Sequence, residues 1–216
     1  MFALIMTICI QKKLCKGVLA LSRKYFTNII SQIDNTFARL EEEQFIALLD
    51  DCEKVIRNGG KIVASGLGKN VPICEKFVGT MNSLGLESAF LHTNTAMHGD
   101  VGLIKENDLV LILSKSGSTA ESCLFAEHIH DWKVEKWLLS FNDGGELAKM
   151  IDKKLLLPLE HEGDLWDIVP NNSSSCYLIL LQGLALYLAE RLGVTLNDFK
   201  RNHPGGAIGV MLSYAI

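Results

Sequence analysis

A chain of 216 residues can bury one hydrophobic core and suits a single domain with, at most, a helical appendage. Its 48% hydrophobic and 21% charged content argues against disorder, and a formal net charge of −4 with scattered lysines and arginines lacks the basic patch of a nucleic-acid binder. Six cysteines (Cys9, Cys15, Cys52, Cys74, Cys123, Cys176) with no Cys-x-x-Cys pair fit reduced, mostly buried thiols of a cytoplasmic protein better than a disulfide framework or a structural zinc.

Met1 to Ile10 is strongly apolar but too short to span a bilayer, so no membrane partner is expected. With no preceding positive region and no clear cleavage site, it reads as a packed or frayed leader, or as the result of an upstream start codon with Met6 the alternative. Apolar residues at three- and four-residue spacing then predict amphipathic helices from Val18 to about Phe37 and from Glu42 to Arg57, the second closed by Asn58-Gly59-Gly60. Short apolar runs predict five strands at Lys61–Ser65, Ser88–Leu91, Asp108–Leu113, Lys136–Ser140 and Lys154–Leu157. Helices are expected between them at Val71–Leu84, Ala120–His130 and Glu146–Ile151. The segment from His92 to Gly102 is too polar and glycine-rich for a core element. A long loop, His161 to Ser175, leads to a helix from Cys176 to Leu192 that is apolar nearly all round; this predicts a fully buried helix, in part against another subunit. One or two further turns follow at Thr195–Lys200. Five strands alternating with helices predict an α/β fold, a parallel sheet covered by helices on both faces.

The chemistry is expected in the loops that leave the strands, since open α/β sheets bind ligands there. After the third strand comes Ser114-Lys-Ser-Gly-Ser-Thr119, four hydroxyls in six residues at the start of a helix. Free N–H groups, the positive helix end and these hydroxyls together favour a phosphate, and Gly117 allows close approach of the backbone. Gly66-Leu-Gly-Lys69 after the first strand lacks the third glycine of a dinucleotide loop, and Lys69 reads as a charge partner for a phosphate or sugar oxygen. His98 suits a proton shuttle or a hydrogen-bond donor, and equally a local backbone cap. Glu121 opens the helix after the serine loop, where a first-turn carboxylate is common in any case. Glu162 in a dry loop would have a raised pKa and act as a general base, although most loop glutamates are simply solvated. His203 precedes the abrupt turn Pro204-Gly205-Gly206.

Taken together, Ser114-x-Ser-Gly-x-Thr119, Gly66-Leu-Gly-Lys69, Met97-His-Gly-Asp-Val-Gly-Leu103 and Asp198-Phe-x-x-x-His-Pro-Gly-Gly-Ala-x-Gly209 resemble the SIS (sugar isomerase) superfamily, in its arabinose-5-phosphate isomerase branch. The resemblance covers roughly Phe45 to Gly209. It implies a three-layer αβα sandwich around a five-stranded parallel sheet, with residues 1–41 an N-terminal helical segment and 42–212 the phosphosugar-binding domain. It also implies aldose–ketose isomerisation of a small phosphorylated sugar with no cofactor and no metal, in a homodimer or homotetramer whose active sites are shared between subunits. The branch's catalytic lysine, histidines and glutamates fall on Lys69, His98, His203, Glu121 and Glu162. Among these, Glu162 is assigned as carbon base and His203 to ring opening or hydroxyl proton transfer; His98 and Lys69 would stabilise the enediolate, and Glu121 would orient a partner. Its phosphate contacts fall on Ser114, Ser116, Gly117, Ser118 and Thr119, and its sugar contacts on Ser65, Gly66, Gly68, Ser173 and Ser174. Two departures touch the substrate: Lys115 stands where the branch commonly has Asn, and Asn171-Asn-Ser-Ser-Ser175 replaces a Thr-rich segment. The paired CBS domains of full-length members are not expected in this chain. Two alternatives stay open: a non-catalytic sugar-phosphate-binding module, and an isomerase of a different phosphosugar.

Overall fold

A computed structural model describes residues 23–213, so the apolar leader, Cys9, Cys15 and the first part of the helix expected from Val18 lie outside the described residues. Helix α1 runs through residues 23–38 and α2 through Glu42–Arg57. Strands β1 (Ile62–Gly66), β2 (Ser88–His92), β3 (Leu109–Leu113), β4 (Glu135–Ser140) and β5 (Lys153–Leu156) form one sheet. All neighbours pair in parallel, in the order β2-β1-β3-β4-β5. The remaining helices are α3 (Asn70–Ser83), α4 (Thr93–Ala96), α5 (Ala120–His128), α6 (Glu146–Met150), α7 (Asn172–Arg191), α8 (Leu196–Arg201) and α9 (Gly206–Ser213), with a 3-10 turn at Asp100–Leu103.

The expected α/β architecture in three layers is present, and strand periodicity explains it. Ile62, Ala64, Leu109, Leu111, Leu113, Trp137 and Leu139 point into one core, shared with α2, α3 and α7. Their neighbours Val63, Val110, Ile112 and Leu138 point into the other, shared with α4, α5 and α6. Every position of β1 and β3 is therefore buried. From α1, Ile33 and Phe37 pack against the first core. Strand order turns back between β1 and β3, and such a switch point opens a crevice at the carboxyl edge of the sheet.

Several expectations need correcting. Helix α7 begins four residues before Cys176, because the carboxylate of Glu162 caps its first turn through Asn171 N–H (3.1 Å) and Ser173 N–H (2.9 Å). Within the single chain α7 buries one stripe, which leaves to a second subunit the burial expected of the rest. Its face of Cys176, Tyr177, Leu180, Leu181, Leu184 and Leu188 meets the sheet, while Leu186 (62% exposed) and Tyr187 (53%) stand in solvent in the single chain. A helix beside one sheet can bury only one stripe. The polar segment from His92 to Gly102 does supply core residues, since Thr93 and Ala96 of α4 are buried. Helix α9 had no counterpart in the expected elements. Cys52, Cys74 and Cys176 are buried thiols, whereas Cys123 is only half-buried.

Candidate functional site

Register brings the site together. Because Gly66 pairs with Leu113, the loops leaving β1 and β3 lie side by side, and Asn70 Nδ2 donates to the Leu113 carbonyl (3.1 Å) across the gap. An added Cβ at Gly66 would meet Asn70 Cβ at 2.7 Å, so the crossing from β1 to α3 needs glycine there. The loops enclose a cleft of about 280 Å³, lined among others by Gly68, Lys69, Ser114, Ser116, Thr119, Ser173 and Ser174. Three helices begin at its rim, α3 after Lys69, α5 after Thr119 and α7 after Asn171. The Thr119 side chain does not cap α5; its Oγ1 lies 3.4 Å from Ser114 Oγ instead. The first-turn N–H groups of α5 are thus left for an anion.

The serine loop is held from behind by the β4–α6 connection. Asn142 Nδ2 donates to the Ser116 carbonyl (2.9 Å), Ser140 Oγ to the Lys115 carbonyl (3.2 Å) and Leu147 N–H to the Gly117 carbonyl (2.8 Å). Gly117 has φ +65°, which favours glycine, and Gly145 lies against it so closely that an added Cβ would sit 2.6 Å from the Gly117 oxygen. From the first core, Tyr177 Oη donates to the Leu139 carbonyl (2.8 Å) at the end of β4.

Glu162 is 1% exposed and accepts four hydrogen bonds. Oε1 takes Lys115 Nζ (2.5 Å) and Ser173 Oγ (2.5 Å), and Oε2 takes the N–H groups of Asn171 and Ser173. Burial pushes its pKa up, but the Lys115 ammonium, the Ser173 hydroxyl and the two N–H donors outweigh burial and hold it below the usual carboxylate range. The raised pKa expected for Glu162 is therefore reversed. Lys115 itself lies on the divide between the serine cleft and a second hollow of about 370 Å³ lined by Phe141, Asn142, Glu160, His161 and Glu162.

The candidates divide into three groups. Lys69, Gly68, Ser114, Ser116, Thr119, Ser173 and Ser174 line the cleft, and Glu162 touches its wall through Ser173 and Lys115. Ser65, Gly66, Gly117 and Ser118 support it rather than line it: Ser65 is fully buried and bonded to Thr93 Oγ1 (3.0 Å), and Ser118 Oγ accepts from Glu146 N–H (3.3 Å). Glu121 and His98 are exposed and outside the lining. His203 stacks on Phe199 (ring centroids 3.9 Å apart) at the end of α8, and its neighbour Asn202 donates to the Ser83 carbonyl at the far end of α3. Helix α3 starts at the cleft, so His203 lies at the opposite edge of the sheet, about 20 Å away at the rise of a 14-residue helix. Residue-type reasoning passed over Asn70, Asn142 and Gly145. The amide and glycine types offered a turn signal, but nothing local tied them to the serine loop.

Comparison with known proteins agrees with this geometry. The family model of the SIS domain matches residues 55–189. The chain is 33% identical over 177 residues to the arabinose 5-phosphate isomerase KdsD of Pseudomonas aeruginosa, covering 82% of this chain and 53% of that protein. It is 30% identical over 194 residues to the enzyme of the same name from Yersinia pestis, covering 90% of this chain and 56% of that one. It thus spans about half the length of the curated relatives it matches. Among solved structures, an E. coli CFT073 protein in complex with arabinose 5-phosphate superposes with a TM-score of 0.79 at 27% identity, over 88% of this chain and 98% of that one.

Proposed function

The chain belongs to the SIS domain family, and from that premise we propose that it is an aldose–ketose isomerase of a small phosphosugar, with arabinose 5-phosphate and ribulose 5-phosphate the first pair to test. One observation carries the reading: a cleft at the sheet's switch point joins phosphate donors (Ser114, Ser116, Thr119 and Lys69) to a buried carboxylate, Glu162, in its wall. The hydroxyls and the α5 N–H groups would hold the phosphate, which fixes the sugar carbons at a set distance from the wall. Glu162 would take the proton next to the carbonyl and return it to the adjacent carbon, while Lys69 steadies the negative oxygen of the enediolate between the two transfers.

Ring opening needs a further acid–base group, and His203 and His98 are the candidates. With His203 at the opposite sheet edge of its own chain, that role requires a second copy. Exposed Leu186 and Tyr187 of α7, and Leu165 (73%), Trp166 (70%) and Ile168 (72%) on the loop before the cleft residue Pro170, support a homo-oligomer in which such a copy covers the site. No described helix is long and apolar enough to cross a membrane, and the buried free thiols support a reducing, cytoplasmic setting.

A second reading has its own support. Glu162 as found is a satisfied helix cap, and a sugar-phosphate-binding module would need the serine cleft without a free base. Incubating the full chain with ribulose 5-phosphate in deuterated water separates the two. Arabinose 5-phosphate carrying deuterium at carbon two is the expected result. Binding without exchange, across pentose, hexose and heptose phosphates, would leave the binding module as the answer.

A further inference from the structure

Lys115 is the side chain that the phosphosugar reading leaves without a task. It lies inside the serine loop, between two hydroxyls that line the cleft, yet its ammonium rests 2.5 Å from Glu162 Oε1. Its side chain is 44% exposed, whereas Glu162 is 1% exposed. The lysine end of the pair is therefore solvated and weakly held, and Glu162 keeps three other donors (Ser173 Oγ, Ser173 N–H and Asn171 N–H) if the lysine departs. With all four acceptor positions occupied, the carboxylate has no lone pair for a carbon-bound proton until one donor leaves. Lys115 is the only one of the four not fixed to the start of α7.

Resting on the isomerase reading, we propose that Lys115 is a ligand of the substrate phosphate that pairs with Glu162 before substrate arrives, and that its move to the phosphate frees Glu162 to act as the base. Its backbone joins Ser114 to Ser116, so a change of side-chain rotamer carries the ammonium from the wall to an anion held by those hydroxyls, and the backbone stays still. A dianionic phosphate is the stronger partner for a solvated ammonium than a carboxylate already satisfied by three donors. Proton abstraction is thereby tied to a correctly seated phosphate, and a sugar without phosphate leaves the base latched. The other titratable groups near Glu162 are Glu160, which is paired with Arg39, His161 and Asp167 on its own loop, where Asp167 Oδ1 accepts the Glu162 N–H (2.7 Å), and Cys176 and Tyr177 on α7. None of these carries an ammonium able to replace Lys115.

The test follows the carboxyl carbon of Glu162 by NMR in the full chain labelled with ¹³C-glutamate, the signal being the one lost in Glu162→Gln. At about pH 8, where inorganic phosphate is dianionic, saturation with it is expected to shift the Glu162 carboxyl signal in the wild-type protein, because the lysine contact is lost. In Lys115→Met the signal should start displaced and move less than half as far, while Lys115→Arg follows the wild type. Phosphate should also bind Lys115→Met about tenfold more weakly. A Glu162 signal that phosphate leaves unmoved, or that moves equally far in Lys115→Met, overturns the proposal and leaves the isomerase reading standing. An intact Lys115 response with no deuterium exchange on any phosphosugar counts against the isomerase reading instead, and keeps Lys115 as the phosphate ligand.

Discussion

Burial and hydrogen bonding act on Glu162 in opposite directions. Burial alone would favour the neutral acid, but Lys115, Ser173 and the N–H groups of α7 all bond to the charged form and prevail, so the folded pKa lies below that of an unfolded glutamate. A depressed carboxylate stabilises the fold above the unfolded pKa and loses that contribution as pH falls through the folded value. Wild-type protein should therefore resist urea better than Glu162→Gln at neutral pH by about 1 kcal/mol, a modest figure because the lysine end of the pair is solvated. The gap should close as the pH drops below about 4. A gap that persists in strong acid would mean that shape and packing, and not charge, make the difference.

The serine loop owes its form to a neighbouring element. Gly117 turns with φ +65° and presents its carbonyl to Leu147 N–H, and Gly145 allows that approach by having no side chain. Gly145→Ala should cost about 1–3 kcal/mol through the clash with the Gly117 carbonyl, read as a lower thermal midpoint. It should also weaken inorganic phosphate binding, because the loop must shift to make room. Neither residue at the contact has a charged or polar side chain, so an unchanged phosphate affinity would show that the loop keeps its shape without this support. At the start of α7 the same logic applies in reverse: Glu162 supplies the cap from outside the helix, and its residues Ser173 and Ser174 face the cleft because that cap orients the first turn.

Across the whole molecule, the strand order places the serine-loop hydroxyls and the buried carboxylate on one edge, while the α8 end, packed against the end of α3, holds His203 on the other. If His203 serves the isomerase, it serves the cleft of another copy. Chains carrying His203→Ala and chains carrying Glu162→Gln should each be inactive alone. Dissociated, mixed and reassembled, they should regain activity, since some sites then combine an intact cleft with an intact histidine. No recovery from mixed assemblies of proven composition would remove His203 from the mechanism.

Much of this was legible along the chain. Apolar runs marked all five strands to within one or two residues, three- and four-residue spacing marked α2 at its observed bounds, and four clustered hydroxyls marked a loop that lines the cleft. These signals are local, because each depends on side-chain alternation, backbone preference or turn chemistry within a few residues. The partner of a given group was not legible in this way. Lys115 and Glu162 are 47 positions apart and Gly117 and Gly145 are 28 apart, and nothing nearby in either segment announces its neighbour. Which stripe of α7 the single chain leaves uncovered, which way Glu162 titrates and which edge receives His203 all depend on distant segments meeting. That meeting is governed by burial of the shared cores and by the parallel register, quantities that exist once the chain has closed on itself.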